Sequence, residues 1–159
     1  MIVKTRKSWR EKLADDKGLP KVGPVCGQGT AKWGSGIMVI PAPREVDGIM
    51  KQVPRGKLIT INQIRAALAN RHHADFACPI TTGIFAWIAA NAAEEAVSAG
   101  QKRVTPYWRT LKSGGELNEK YPGGVAKLKQ RLEAEGHEIV KKGKRYVVAD
   151  FEKALFKGD

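Results

Sequence analysis

The chain has 159 residues, of which 42% are hydrophobic, so it is long and apolar enough to fold as one domain with its own core. No apolar run approaches the ~20 residues that a membrane-spanning helix needs, and no apolar segment follows the basic N-terminus as in a secretory signal. The two cysteines, Cys26 and Cys78, are too few for a disulfide framework. We therefore expect a cytoplasmic protein with reduced thiols and no membrane contact.

The charge of the chain is strongly positive. The net charge is +12 and the pI is about 9.9, so the protein carries a positive field at physiological pH. Such a field attracts phosphate backbones, and the release of their counterions drives binding. The charge favours a nucleic-acid partner and a nucleoid association, although a charge that serves solubility, or a ribosomal or chaperone-like partner, would give the same excess.

Residues 1–40 are expected to form a basic N-terminal arm ahead of a domain that covers residues 41–159. Ser8 is a good N-cap and predicts a short helix to about Asp16. Frequent glycine and proline predict a loop from residue 18 to 36, and the apolar residues of 37–40 predict a short strand before Pro41.

Three helices are predicted in the first part of the domain. The first carries its apolar residues at helical spacing and is terminated by Pro54; these residues are Val46, Ile49, Met50 and Val53. The second opens at the capping box from Thr60 to Gln63 and ends near Asn70. The third opens at Pro79 and ends near Val97. The last two helices, placed after a leading helix, predict a helix-turn-helix.

The third predicted helix has an apolar stripe, which we expect to face the core. The stripe consists of Ile80, Ile84, Trp87 and Ile88. Trp87 is accordingly interpreted as a core residue and not as a platform for stacking a base.

A helix containing Leu128 and Leu132, closed by Gly136, is predicted next, followed by two short strands at 138–140 and 145–148. The basic turn between the strands predicts the wing of a winged helix, with its tip along phosphates. Asp150 is predicted to cap a last short helix. The predicted fold is thus mainly α with a small β hairpin, a winged helix-turn-helix.

Three ordered blocks resemble a known family. Residues 105–115 hold Pro106, Arg109, Ser113 and Gly115 at the spacing of the active-site strand, Pro-Cys-His-Arg-Val followed by Ser and Gly, of the methylated-DNA–protein-cysteine methyltransferases (alkylguanine-DNA alkyltransferases). Residues 53–60 are similar to the start of that family's helix-turn-helix, and residues 121–136 to its Tyr-x-Gly-Gly…Lys…Leu-Leu…Glu-Gly tail. The resemblance covers about residues 43–140 and implies the DNA-binding domain of that family.

The chain departs from the family at the residues that do its chemistry. Tyr107 and Trp108 stand where the methyl-accepting cysteine and its histidine belong, and a phenol with a pKa near ~10 is a far poorer nucleophile than a thiolate. Glu135 matches the family's catalytic glutamate but has no thiol to activate. Ile61 replaces a tyrosine that presses on the target phosphate, and no arginine that would replace a flipped base occurs in the third helix.

The resemblance therefore implies an alkyltransferase-like variant that binds alkylated or modified bases in duplex DNA without repairing them. Its expected partners are double-stranded DNA and a repair protein that takes over the lesion; it would act as a monomer without a cofactor. The implied base pocket consists of Tyr107, Trp108, Arg109, Ser113 and Tyr121. The expected DNA contacts are Thr60, Ile61, Thr81, Thr82, Lys112, Lys142, Lys144 and Arg145, with the helix after Cys78 in the groove. The linker from Asn91 to Val104 is longer than the family's.

Two alternatives remain open. Cys78 precedes a helix N-terminus, where the dipole lowers a thiol pKa, so it is a candidate alkyl acceptor, although a small buried or capping residue is the favoured interpretation. A basic winged-helix regulator or architectural protein with a vestigial pocket would also explain the charge. His72, His73, Asp75 and Cys78 match no zinc spacing, so we predict a solvated turn there and no metal.

Overall fold

A computed structural model describes residues 7–25 and 36–157. Cys26 lies outside the described residues. The helices are α1 (Trp9–Ala14), α2 (Pro43–Lys51), α3 (Ile61–Arg71), α4 (Pro79–Ser98) and α5 (Gly124–Ala134). The strands are β1 (Lys21–Pro24), β2 (Ile37–Ile40), β3 (Ile59–Thr60), β4 (Phe76–Ala77), β5 (Thr110–Leu111), β6 (Ile139–Lys142) and β7 (Arg145–Val148). Single 3-10 turns occupy Tyr107–Arg109, Ser113–Gly115 and Phe151–Ala154.

The core forms where α2, α3 and α5 pack around α4. The apolar face of α2 is buried as predicted, and Ile64 and Leu68 of α3 join it. Leu128 and Leu132 of α5 complete the core from the other side. At 20 residues α4 is the longest of the described helices, and none of them combines the length and apolar character that crossing a membrane requires.

The helix-turn-helix predicted from the sequence is confirmed as α3 and α4. The hydroxyl of Thr60 accepts a hydrogen bond from the backbone N–H of Gln63, whose side chain accepts one from the backbone N–H of Thr60. This capping box satisfies the free amides at the start of α3. The connection between the helices runs through β4, which pairs in parallel with β2.

The described part of the N-terminal segment contains more regular secondary structure than its composition indicates. The predicted loop at 18–36 contains the strand β1, which pairs antiparallel with β2 in a three-stranded sheet of order β1-β2-β4. The loop prediction was therefore wrong over Lys21–Pro24, because pairing with a distant strand outweighed the local glycine and proline content. The predicted helix at Ser8 is confirmed: Ser8 forms a capping box with Glu11 at the start of α1.

The N-terminal helix α1 packs against α4. The Glu95 carboxylate accepts hydrogen bonds from the backbone N–H groups of Trp9 (3.0 Å) and Arg10 (3.2 Å). The Trp9 ring meets Trp87 edge to face, with 4.8 Å between the ring centroids. The described part of the N-terminal segment is thereby attached to the domain.

The C-terminal hairpin is confirmed as β6 and β7, which pair from Ile139 opposite Val148 to Lys142 opposite Arg145. Its turn contains Gly143 at φ +64°, a backbone conformation that glycine adopts without strain. The prediction for Asp150 was wrong in one respect. Its side chain makes no capping hydrogen bond, because the residue lies in the left-handed conformation, and only a short 3-10 turn follows.

Candidate nucleic-acid interface

The apolar stripe on α4 faces outward, contrary to the prediction. The exposed fractions of Ile80, Ile84 and Trp87 are 49%, 47% and 37%, and only Ile88 is buried. The reason is that α4 packs into the molecule with an alanine-rich side, which includes Ala86, Ala89, Ala90 and Ala93. Since small residues allow the neighbouring elements to approach closely, the large residues remain on the other side, where they form an exposed apolar ridge.

A groove runs between this ridge and the segment that follows β5. It encloses about 460 Å³. Its lining residues are Ile80, Gly83, Ile84, Trp87, Lys112, Asn118 and Lys120. The Trp87 indole N–H donates a hydrogen bond to the carbonyl oxygen of Lys120 at 3.1 Å and so fixes one wall of the groove to the other. An apolar surface bordered by two lysines is suited to a ligand with flat apolar groups and a negatively charged backbone.

The basic hairpin adjoins this groove. The backbone N–H of Leu117 donates a 2.8 Å hydrogen bond to the carbonyl oxygen of Tyr146. A guanidinium nitrogen of Arg145 lies 4.0 Å from Glu116, which is also within 3.9 Å of the Lys112 ammonium. Lys142 and Lys144 are exposed on the hairpin. The structure therefore joins the predicted hairpin residues to the segment that carries Lys112.

Cys78 is buried, with an exposed fraction of 5%, and it is the N-cap residue of α4. The hydroxyl of Thr81 donates a hydrogen bond to its sulfur at 2.9 Å, and the hydroxyl of Thr82 donates to its carbonyl oxygen at 2.7 Å. The Cys78 side chain makes no capping hydrogen bond to the backbone of α4 and is a small buried residue in this structure. The expectation that Thr82 contacts DNA is corrected, because its side chain is fully buried and serves the start of α4.

The expected DNA contacts at the start of α3 are also largely buried. Thr60 has an exposed fraction of 7%, and its hydroxyl is engaged by the capping box. Ile61 is half-buried and packs against the core. Among the expected contacts on the two helices, Thr81 and Ile61 are thus partly accessible, whereas Thr60 and Thr82 are not.

Tyr107, at the position of the family's cysteine, fills the core. Its side chain is fully buried, and its hydroxyl donates a 2.6 Å hydrogen bond to Glu94. Burial, and next the neighbouring Glu94 carboxylate, raise the pKa of the Tyr107 phenol well above its usual range. Tyr121 packs edge to face on this ring at 5.9 Å, and burial raises its pKa as well. Both phenols stay protonated, so neither is a nucleophile at neutral pH.

Glu94 was not foreseen from the sequence. Besides the Tyr107 hydroxyl, its carboxylate binds the Lys127 ammonium at 2.7 Å and a guanidinium nitrogen of Arg131 at 3.5 Å. Burial alone would raise the pKa of Glu94, but the hydrogen bonds from Lys127 and Tyr107 outweigh it and hold this pKa below its usual range. The available signal was the acidic pair Glu94 and Glu95 in an otherwise alanine-rich apolar helix.

Glu135 organises a second buried cluster. It accepts hydrogen bonds from the Trp108 indole N–H at 2.7 Å and from Arg109 through Nε and Nη2, both at 2.9 Å. The backbone N–H of Gly56 donates to it at 3.3 Å, and Arg109 also donates to the carbonyl oxygen of Val53 at 2.7 Å. Burial would raise the pKa of Glu135, but the bonds from Arg109 and Trp108 lower it overall.

Four of the five residues of the implied base pocket lie together, because Tyr107 meets Trp108 edge to face at 5.4 Å and Tyr121 at 5.9 Å, and the Arg109 guanidinium lies 5.4 Å from the Trp108 ring centroid. Their side chains nevertheless have different roles. Tyr107 and Tyr121 are core residues, Trp108 and Arg109 are bound to Glu135, and Ser113 is exposed on a 3-10 turn. The groove beside α4 is open to a ligand, and sequence reasoning missed its residues Asn118 and Lys120. Only its position directly after the block 105–115, which resembles the family, distinguished that segment in the sequence.

The turn between α3 and α4 is exposed at His73 and Asp75, as predicted, whereas His72 is half-buried and Cys78 is buried. The Nε2 atom of His72 lies 2.6 Å from a carboxylate oxygen of Glu45. Asp75 accepts a 2.7 Å hydrogen bond from the backbone N–H of Ile37. These side chains hold the turn against α2 and β2, which is why they are not free in solution. Within residues 7–25 and 36–157, no group of three or more histidine, cysteine or acidic residues is placed to hold a metal ion.

The helix-turn-helix and the C-terminal hairpin define the fold class of this chain, and a solved structure shares that fold. A crystal structure of S. pombe ATL in complex with DNA matches with a TM-score of 0.51 and 17% identity, over 73% of this chain and 94% of that chain. S. pombe Atl1 in complex with damaged DNA containing O6-carboxymethylguanine matches with a TM-score of 0.48 and 19% identity, over the same shares. No protein-family model matches the sequence, and no curated protein does. The similarity to the first structure confirms the predicted fold.

Proposed function

We propose that this protein binds double-stranded DNA and recognises alkylated or otherwise modified bases without transferring the alkyl group. The observation that carries the proposal is the exposed ridge of Ile80, Ile84 and Trp87 beside Lys112 and Lys120, on the second helix of the helix-turn-helix. The solved structures with the similar fold were both determined with DNA, one of them with a damaged guanine. A net charge of +12 supports the same partner.

The groove offers two kinds of contact to a duplex. Lysine side chains at Lys112 and Lys120 neutralise phosphates and set the position of the protein on the duplex. The apolar side chains of Ile80 and Ile84, one helical turn apart, are suited to the wedge that minor-groove proteins insert between base steps. Such a wedge bends the duplex and reduces the cost of extruding a weakly paired base, which favours a damaged base over an intact one.

The same structure supports binding without chemistry. Tyr107 is buried and protonated, and the Trp108 indole N–H donates its hydrogen bond to Glu135. Neither of these side chains therefore offers a nucleophile or a general base to a ligand. Cys78, at the start of α4, is buried, so its sulfur is not accessible to a ligand. A lesion that is bound and left unchanged needs another protein to repair it, so the proposal includes a repair partner. The proposal also includes binding to DNA as a monomer.

The experiment compares a duplex containing O6-methylguanine with the same duplex containing guanine, by fluorescence anisotropy and by intact mass of the protein. We expect tighter binding of the modified duplex and an unchanged protein mass. The variant Ile84→Glu, which places a negative charge on the ridge, should lose at least about tenfold in affinity for both duplexes. Val22→Glu on β1 is the matched control, because the exposed fraction of Val22, 49%, is close to the 47% of Ile84 and Val22 does not line the groove. Unimpaired binding by Ile84→Glu contradicts the proposed groove.

A basic regulator or architectural protein is the second candidate. The observation that favours it is the burial of Tyr107 and Tyr121, because a base cannot reach a buried side chain at the position of the family's acceptor. Equal affinity for the modified and unmodified duplexes, with loss of both in Ile84→Glu, supports this function. An alkyl adduct on Cys78 in the mass measurement would instead revive the transferase alternative.

A further inference from the structure

We propose that a second, separate cavity binds phosphate groups, supplied either by a nucleic-acid backbone or by a free nucleotide or polyphosphate. The cavity is an open cleft of about 580 Å³ at the far end of α4, between the segment that follows this helix and the 3-10 turn of Trp108. Its cationic lining residues are Lys51, Lys102, Arg103, Arg109 and Arg131, and the Trp108 ring forms part of its wall.

Two of the cations are held in place by neighbours. The Arg131 guanidinium lies over the Trp108 ring, 4.3 Å from its centroid, and is tied to Glu94 at 3.5 Å. The Lys51 ammonium is held by Asp47 of the same helix at 3.0 Å. Because these side chains are already ordered, a ligand that binds them loses little of its affinity to fixing their conformations.

Two other cations carry uncompensated charge. Lys102 and Arg103 are exposed and form no ion pair with any residue of the described part of the chain. Arg109, by contrast, is neutralised by Glu135, and the acidic residues next to the cavity are engaged with Lys51 and Arg131. The local balance therefore retains at least two positive charges, which is the condition for attracting a multiply charged anion.

The cavity is distinct from the groove of the proposed function. Val97, at its edge, follows Trp87 of the groove by ten residues of α4, which separates them by about 15 Å along the helix. Its cations are therefore additional to those that flank the groove.

The test uses the full-length chain and two charge-matched double variants. Lys102→Glu with Arg103→Glu removes the uncompensated cations, and Lys129→Glu with Lys153→Glu makes the same charge change at exposed lysines outside the cavity. With sodium tripolyphosphate as the probe, we expect NMR shifts at the backbone amides of Lys102 and Arg103 and at the Trp108 indole. These shifts should disappear in the first variant and persist in the control. Absence of the shifts, or their equal loss in both variants, would overturn the proposal.

The second arm identifies the source of the phosphate. If a DNA backbone occupies the cavity, the Lys102→Glu, Arg103→Glu variant should reduce the slope of log K against log salt for duplex binding by about 2, that is ~0.9 for each lost phosphate contact. A tripolyphosphate response with an unchanged slope supports the site and assigns it to a free nucleotide or polyphosphate. Because the first arm contains no DNA, it gives its answer even if the proposed DNA-binding function fails.

Discussion

The phenolic hydroxyl of Tyr107 donates a 2.6 Å hydrogen bond to Oε1 of Glu94. This contact connects the 3-10 turn Tyr107–Arg109 to α4, and Lys127 extends it to α5 through its own 2.7 Å bond to Glu94. The family that this chain resembles has a reactive thiol at this position. In this chain the residue there has a structural role, because it links secondary-structure elements. Glu94 thus links three elements, and Tyr107, buried and bound to it, has no freedom to meet a DNA base.

Restoring cysteine at this position should not restore alkyl transfer. In Tyr107→Cys the thiol would be buried, and Trp108 offers no base to deprotonate it. We expect no adduct by intact mass after incubation with an O6-methylguanine duplex, and a loss of about 3 kcal/mol in the free energy of unfolding from the cavity that is created. Tyr107→Phe is the control, since it keeps the ring and should lose only about 1–2 kcal/mol with the hydrogen bond. A methylated protein after incubation of Tyr107→Cys contradicts this prediction.

Glu135 should make the stability of the protein depend on acidic pH. Its pKa is lowered in the folded state, so its contribution is complete above the ordinary value of 4.5 and is lost as the pH falls below it. The pair with Arg109 is largely buried, so Glu135→Gln should cost about 3 kcal/mol at pH 7, measured by urea denaturation. The difference between this variant and the native chain should shrink toward pH 3.

The exposed Glu138→Gln serves as the control and should have a stability within about 0.5 kcal/mol of the native chain. If the gap between Glu135→Gln and the native chain stayed constant from pH 7 to pH 3, the ionised form of Glu135 would not be the stabilising one.

Glu95 should determine whether α1 stays attached to the domain. Its carboxylate accepts from the first backbone N–H groups of α1, where a negative charge is favoured, and from the Arg10 side chain at 3.2 Å. We expect Glu95→Gln to increase hydrogen exchange several-fold in residues 10–14 while exchange in α3 stays unchanged. Glu133→Gln on the exposed side of α5 is the matched control. Unchanged exchange in α1 would show that the Trp9–Trp87 contact alone suffices to hold it.

The elements that local sequence determines were predicted well. The helix starts were predicted to within a residue from Ser8, Thr60 and the proline at the start of α4. This was possible because the hydrogen-bonding partners of a capping box are only three positions apart in the sequence. The hairpin was found for the same reason, since its turn and alternating strands are adjacent in the sequence.

What the sequence did not reveal depends on distant contacts. Strand β1 exists because it pairs with β2 across a segment rich in glycine. The stripe of α4 was assigned to the core because that helix is apolar on nearly every side, so periodicity alone could not distinguish its inner from its outer face. The burial of Thr82 and the contact between Glu94 and Tyr107 follow from that orientation.

The two lysines of the groove should control affinity without controlling which base is preferred. Lys112→Gln with Lys120→Gln removes two cations that flank the ridge, so the slope of log K against log salt should fall by up to about 2 for a duplex. The Lys112 ammonium lies 3.2 Å from the Glu119 carboxylate, which partly neutralises it. The slope should therefore fall by less than it would for two unpaired cations. The ratio of affinities for modified and unmodified duplexes should stay constant, because phosphate contacts carry no information about the base. Anisotropy titrations at four salt concentrations, with Lys129→Gln and Lys153→Gln as the control pair, separate the two effects. A change in this affinity ratio would mean that the two lysines contact the base itself. The ridge of Ile80, Ile84 and Trp87 would then not be the only part of the groove that distinguishes the modified base.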